Sequence, residues 1–392
     1  MKKFFSLFLC VLLIYALIES ASFLNLRYLE SKGMVERRPF FFHLSSQHLQ
    51  EIRMLLAGKN KYIAYSSTLG WSLKQGGEAH PYQANLQGIR ADRKYSLEPQ
   101  EGVLRVSAFG DSFVHGDQVE NKDTWEEKMM SMDPRLEVLN FGVGSYGVDQ
   151  SFLRYKESGV RFKPKIVFIG FRSNNVNRSV NVFKPFLNYE TGFPMTKPRF
   201  AIRDDQLIFV ENPLPNLKDY GRFLNDERGA LEKVGSRDYF YRTDYSGPGY
   251  FLPSVRLAKI FLNIIYGQLG FSNDIVVGNF YNPKSEAFLV TEKILDEFHK
   301  AVLKEGSTPL VLFFPGRRDM ILHEKDGSLI YQPLMDRLKA KNIESIDLMD
   351  AFRQFGRGRP IGDFFNKEGA HYSSLGNEIV AEYLFQYLKA HS

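Results

Sequence analysis

The chain has 392 residues, 44% of them hydrophobic and 24% charged, which is the composition of a folded protein with a sizeable core in one large or two modest domains. Its net charge of +6 comes from lysines and arginines spread along the whole chain, with no dense basic run interleaved with aromatics, so nucleic-acid binding is excluded as a leading reading. The single cysteine, Cys10, lies in the first apolar stretch; the rest of the chain therefore has no disulfide, cysteine nucleophile or cysteine metal site, and with no zinc-type histidine spacing no metal or cofactor is expected.

Met1-Lys2-Lys3 precedes an uncharged apolar run over residues 4–18, which Glu19 ends. This pattern reads as a signal anchor or signal peptide over 1–24. The run to residue 18 is short for a membrane span, and continuing past Glu19 to Leu24 makes it long enough. Lysines on the short N-terminal side place the remaining chain on the extracytoplasmic side, anchored in the membrane. Cleavage near the small residues Ser20 or Ser22 would instead make the protein secreted. Residues 25–100 are polar and irregular and read as a stalk and a lead-in segment packed on the main domain, which spans 101–392.

From residue 104 the pattern alternates. Strands are predicted over 104–109, 136–140, 166–171, 309–314 and 343–348, and helices over 124–132, 148–158, 285–303, 333–341 and 374–390. Strands alternating with helices predict an α/β domain with a mostly parallel sheet covered on both faces. Residues at about 180–284 break the pattern with abundant Pro, Tyr, Phe and Asn. That length is too great for a structureless loop and predicts an inserted subdomain, either a lid whose aromatic faces bind substrate or a capping layer with its own core.

Four segments carry the chemistry. The first strand runs into Gly110-Asp111-Ser112, placing a serine hydroxyl at a strand's carboxyl end, where open α/β sheets keep ligands. The second strand runs into Asn140-Phe141-Gly142-Val143-Gly144-Ser145-Tyr146-Gly147, and the third into Arg172-Ser173-Asn174-Asn175. Near the C-terminus comes Glu368-Gly369-Ala370-His371-Tyr372-Ser373-Ser374-Leu375-Gly376-Asn377. Serine, glycine-rich turn, asparagine and histidine, in that order, resemble the four blocks of the SGNH/GDSL hydrolase superfamily, over roughly residues 100–180 and 300–390. The lead-in Asn85-Leu86-Gln87-Gly88-Ile89-Arg90 resembles the segment before the serine block in its membrane-anchored members.

The resemblance implies a flavodoxin-like three-layer α/β/α fold and a serine nucleophile, Ser112, with His371 as its base. The family places an acid two or three residues before the histidine. Glu368 stands there, with Asp363 as the alternative acid. The implied oxyanion donors are the Ser112 N–H, the block-two turn with Ser145 at the family's glycine position and Gly144 beside it, and the Asn174 amide. A left-handed backbone at position 145 would cost serine more than glycine, and Asn174 could instead cap a helix. Asn175 stands where the family commonly has aspartate. Asp111, which can also bond the loop backbone, His115 and Arg317 are candidate substrate contacts. Ser112 Oγ and His371 Nε2 should lie within hydrogen-bond reach, or slightly beyond it without substrate. The expected activity is hydrolysis of an ester, an acyl group on a cell-surface carbohydrate, through an acyl-serine intermediate. The alternatives are an O-acyltransferase using the same serine and a catalytically inactive glycan-binding or assembly protein.

Overall fold

The computed structural model of the chain describes residues 2–35, 39–269, 272–367 and 369–391. At its centre lie five parallel strands, β1 (Leu104–Phe109), β2 (Leu136–Asn140), β3 (Ile166–Arg172), β4 (Thr308–Phe314) and β5 (Ser345–Asp347), in the order β5-β4-β3-β1-β2. Ala108 of β1 pairs with Asn140 of β2 and Phe168 of β3, and Leu312 of β4 pairs with Gly170 and Ile346. The order doubles back from β2 across β1 to β3, so the sheet has its topological switch point between β1 and β3, where a crevice opens at the carboxyl ends.

The inner strands are near-continuous apolar runs because both faces are covered. On one face Phe168 and Phe314 meet Trp125, the first residue of a helix over Trp125–Met132, with ring centroids 6.3 and 6.2 Å away. The closing helix Ser374–His391 packs beside it. On the other face Phe109 meets Tyr155 at 5.6 Å, and Tyr155 meets Phe298 of the helix Glu286–Lys304 at 5.8 Å. The architecture is thus the three-layer α/β/α sandwich predicted, with a mostly parallel sheet. The helix predicted over 148–158 is regular only across Val148–Arg154 and then widens into a π turn at Tyr155–Gly159. There Gly159 backs onto the Phe109 ring so closely that a Cβ would come within 2.3 Å of it.

The N-terminal helix Lys2–Ser31 runs beyond residue 24, because Ser22 and Leu26 continue its helical seam and are buried against the rest of the protein. Residues 25–100, read from sequence as stalk and lead-in, also contain a helix, Ser46–Leu56, and a hairpin of Ile63–Ser66 with Gly70–Leu73. Tyr62, Leu69, Trp71 and Leu73 from this segment form an apolar cluster with Val143 and Tyr146 of the glycine-rich turn and Met195 of the insert. The insert holds a hairpin, Arg199–Arg203 with Gln206–Val210, followed by short helices. Its aromatics Phe183, Phe186, Tyr220, Phe223 and Phe240 are buried, and the layer they form shares one continuous core with the sheet. Asp238 fixes that layer, accepting hydrogen bonds from the N–H groups of Val182, Phe183, Phe240 and Tyr241. The helix Pro253–Gln268 packs along the N-terminal helix, where Glu19 accepts hydrogen bonds from the Ser254 N–H and hydroxyl. Phe261, Leu262, Ile264, Ile265 and Tyr266 of that helix face outward, exposed.

Candidate active site

Ser112 begins a one-turn helix, Ser112–His115, directly after β1. Gly110 makes the turn possible: a Cβ there would come within 2.3 Å of Val114 Cγ2. Asp111 caps the turn by accepting the Phe113 N–H at 3.0 Å, and its other oxygen pairs with Arg178 at 2.8 Å. The sequence pattern makes Asp111 a substrate contact. It is instead 3% exposed and committed to holding the Ser112 loop against the helix Asn175–Val180.

The glycine-rich turn is pressed onto the same helical turn. A Cβ on Gly142 would lie 2.2 Å from His115 N, and the Val143 N–H donates to Gly110 O at 3.0 Å. Ser145 adopts φ +71°, the left-handed conformation that costs a serine more than a glycine. Among the described residues its N–H has no acceptor in the protein, nor has that of Gly144. The Ser112 N–H, at the first position of a helix, lacks an intrahelical acceptor by geometry. Asn174 precedes the helix Asn175–Val180 but its side chain makes no cap hydrogen bond, and its Oδ1 is buried without a partner. The cap reading of Asn174 is therefore not what the side chain does. Asn175 anchors the loop instead, accepting from the Arg172 N–H and donating to Tyr146 O at 3.1 Å.

His371 reaches the strand ends on a loop tied down by Tyr372, whose hydroxyl donates to Pro315 O at 2.7 Å just past β4. The imidazole lies beside Phe113, the residue after Ser112, with centroids 5.4 Å apart. No hydrogen bond joins it to Ser112, and the ring's orientation is set elsewhere. Its Nδ1 is 3.0 Å from Gln118 Oε1, an amide oxygen that can only accept, so Nδ1 carries the proton and Nε2 the lone pair. Nε2 lies 3.9 Å from Asp117 Oδ2. Burial holds the imidazole below its ordinary pKa, with Arg172 and Arg178 acting in the same direction against Asp117 and Asp111. It is therefore a neutral base at pH 7.

Of the two acids expected, Glu368 lies outside the described residues. Asp363 sits exposed in the short turn Ile361–Phe364, where its backbone carbonyl accepts from Ser373 Oγ at 2.7 Å, and no hydrogen bond or ion pair joins it to His371. Sequence reading misses Asp117 and Gln118. Gly116, left-handed at φ +74°, ends the helical turn and sends the chain back so that both reach His371. Burial alone would push the Asp117 carboxyl up, but His115, His371 and Arg90 outweigh it and hold it below the usual range.

His115, another expected substrate contact, is 2% exposed and serves Asp117 instead. Its Nδ1 lies 2.5 Å from Asp117 Oδ1 and 3.0 Å from Arg90 Nη1, and its Nε2 lies 2.7 Å from the Tyr62 hydroxyl. Burial, reinforced by Arg90, lowers its pKa to about 4, so it is neutral at pH 7. Arg317 is exposed, with its guanidinium 5.2 Å from the Phe365 ring centroid.

No family model and no curated protein matches the sequence. The structure is similar to a lipolytic protein of the G-D-S-L family from Desulfitobacterium hafniense, with TM-score 0.36 and 13% identity over 72% of this chain and 98% of that one. It is similar to a lipase/acylhydrolase from Enterococcus faecalis, with TM-score 0.35 and 12% identity over 73% of this chain and 96% of that one. An acetyl xylan esterase gives TM-score 0.35 and 11% identity over 72% and 98% of the two chains. The parallel strands in the order β5-β4-β3-β1-β2 make this a flavodoxin-like three-layer α/β/α fold, and serine, glycine-rich turn, asparagine and histidine arrive at their carboxyl ends in the order that resembles the four blocks of the SGNH/GDSL hydrolases.

Proposed function

We propose that the chain is a serine esterase of the SGNH/GDSL type, anchored in a membrane and acting on its extracytoplasmic side. Ser112 Oγ attacks the ester carbonyl while its proton passes to His371 Nε2. The resulting oxyanion is held by the Ser112 N–H, the Ser145 N–H and the Asn174 amide, donors that stabilise the charge as it develops. Collapse breaks the bond to the alcohol oxygen, which takes the proton from Nε2 and leaves an acyl-serine. Water, deprotonated by the same nitrogen, attacks the acyl carbon and releases the acid and free serine. The carrying observation is the Gln118 Oε1 contact on His371 Nδ1, since it leaves Nε2 as the basic nitrogen. The uncapped Asn174 side chain supports the third donor.

The anchor rests on residues Lys3–Ser31, a helix of mean hydropathy 2.3 at its most apolar, whose first part is exposed apolar surface. The exposed face of the helix Pro253–Gln268 beside it fits the same bilayer surface. An acyl group on a cell-surface carbohydrate is the proposed substrate, by likeness to exported members of the family.

The test is hydrolysis of a short-chain aryl ester by the full-length chain in detergent, beside Ser112→Ala, with fluorophosphonate labelling of both. Turnover and labelling confined to the parent chain support the reading. A folded parent that neither turns over nor labels sinks it in favour of a glycan-binding or assembly role, and faster ester loss on adding a sugar alcohol, with the acyl group recovered on that alcohol, marks an O-acyltransferase.

A further inference from the structure

Buried cations in this protein generally have counter-ions. Lys197 pairs with Asp149, Arg178 with Asp111 at 2.8 Å, Arg105 with Glu137 at 2.7 Å, and Arg199 with Glu286 at 2.8 Å. Arg90 and Arg154 have no close counter-ion but donate to carbonyl and hydroxyl oxygens, though Arg154 Nε, like that of the ion-paired Arg199, is buried without a partner. Two cations near the nucleophile depart from this pattern.

Arg172, the last residue of β3, lays its guanidinium 4.7 Å from the centroid of the Phe113 ring and fills the space beside Gly316, where a Cβ would come 3.3 Å from its Nη2. Its Nε is buried without an acceptor, and it has no ion pair among the described residues. Lys184 opens the short helix Lys184–Leu187, and its ammonium likewise has neither ion pair nor hydrogen bond among the described residues. It is within electrostatic reach of Arg178, Arg172, Asp111 and Asp117. The carboxylates nearby are already engaged: Asp111 with Arg178, Asp117 with His115, and Asp319 with the Gly316 N–H and Ser173 hydroxyl. Burial, with Arg178 and Arg172 adding to it, pushes the lysine's pKa well down, the behaviour of an ammonium that lacks its anion. Holding two partly buried cations together unpaired is costly, and a bound anion would remove the cost.

We propose that Arg172 and Lys184 form a subsite for an anionic group, a carboxylate or a phosphate, carried by the substrate near its scissile ester, so that the enzyme selects esters of acidic molecules. Arg172 offers a planar fork that matches either group in bidentate fashion, and Lys184 a point charge. The inference rests on the serine-esterase reading of the same pocket, and its test separates the two.

The probes are matched coumarin acetates that are neutral, carboxylate-bearing or phosphonate-bearing, with the full-length chain in detergent. The anionic esters should be preferred in kcat/KM by about tenfold or more over the neutral one, at the strength of a charge-assisted contact. Arg172→Gln and Lys184→Gln should each cut the anionic-to-neutral ratio by about tenfold, Arg172→Lys should retain part of it, and added salt should erode it. Whether carboxylate or phosphonate gains more identifies the group. A second arm measures binding of the corresponding carboxylate coumarin product to the Ser112→Ala chain by fluorescence, with and without Lys184→Gln. Equal ratios across all chains, with hydrolysis intact, would overturn the subsite and leave the esterase standing. Absent turnover and labelling, with charge-dependent product binding retained, would overturn the esterase and keep the subsite. Loss of both hydrolysis and charge-dependent binding overturns both.

Discussion

Replacing Gln118 by glutamate tests whether an amide oxygen really orients the base. Gln118→Glu puts a carboxylate oxygen where an amide oxygen now sits 3.0 Å from His371 Nδ1. A hydrogen bond to a neutral acceptor is worth about 0.5–1.5 kcal/mol, and one to a charged acceptor about 1.5–3. The difference, about 1–1.5 kcal/mol, favours the imidazolium over the imidazole. It corresponds to about one pH unit in the histidine's pKa, and to as much as about tenfold in a step whose transition state develops imidazolium. Asp117 limits the gain, since a second carboxylate in the same pocket makes both harder to ionise.

The sign follows from the base's role. On the proposed mechanism His371 works when neutral, so kcat/KM should rise as pH rises through its pKa and then level. In the parent chain that limb lies below the ordinary histidine value of 6.5, because burial first, and Arg172 and Arg178 after it, disfavour the charged form. The assay is kcat/KM for a short-chain aryl ester from pH 4.5 to 8. With Gln118→Glu the limb should move up by about one unit and the plateau should rise. With Gln118→Leu the ring loses its fixed tautomer, and the plateau should fall about tenfold with little change in KM. A Gln118→Leu plateau equal to the parent's would refute the argument, since some other group would then be orienting the ring.

Asn174→Ala should lower kcat by about 10²–10³-fold, the usual loss for one oxyanion donor, with KM and melting temperature nearly unchanged because the side chain caps nothing. Ser145→Gly should relieve the left-handed backbone at φ +71° and raise stability by about 1 kcal/mol, read as a higher denaturation midpoint with hydrolysis retained. His115 should make stability pH-dependent. Its folded pKa of about 4 lies below the ordinary histidine value of 6.5, so the unfolded chain binds a proton that the folded one refuses, and stability is lost as pH falls through that window. The loss is about 3 kcal/mol. Denaturation at pH 7 and pH 4 should show it, and His115→Gln should flatten the difference; an equal pH dependence in the variant would show that other groups carry it.

The sheet and the four blocks were legible because each depends on a local signal. An apolar run of strand length followed by glycine and a polar residue is a local pattern, and β1 into Ser112, β2 into the glycine-rich turn and β3 into Asn174 all have it. What stayed hidden depends on where the chain goes next. Gln118 and His371 are 253 positions apart, and Gln118 belongs to no residue class that announces a catalytic role. Its arrival depends on the left-handed Gly116 ending a helix only four residues long. The same holds for Tyr62, which supports Asp117 through His115 from a lead-in that carries no catalytic pattern of its own. Sequence logic looks for one acid behind His371 on its own loop. On the proposed mechanism the pocket divides that role between two residues. A neutral amide fixes the tautomer at Nδ1, while the charge that can favour the imidazolium sits on Asp117, 3.9 Å from Nε2. A carboxylate on that side can also accept the proton's hydrogen bond at Nε2, so the substrate's leaving oxygen must compete with it. Asp117 should therefore matter most in the protonation of the leaving group, and its partner His115 is held in turn by Tyr62 of the lead-in segment.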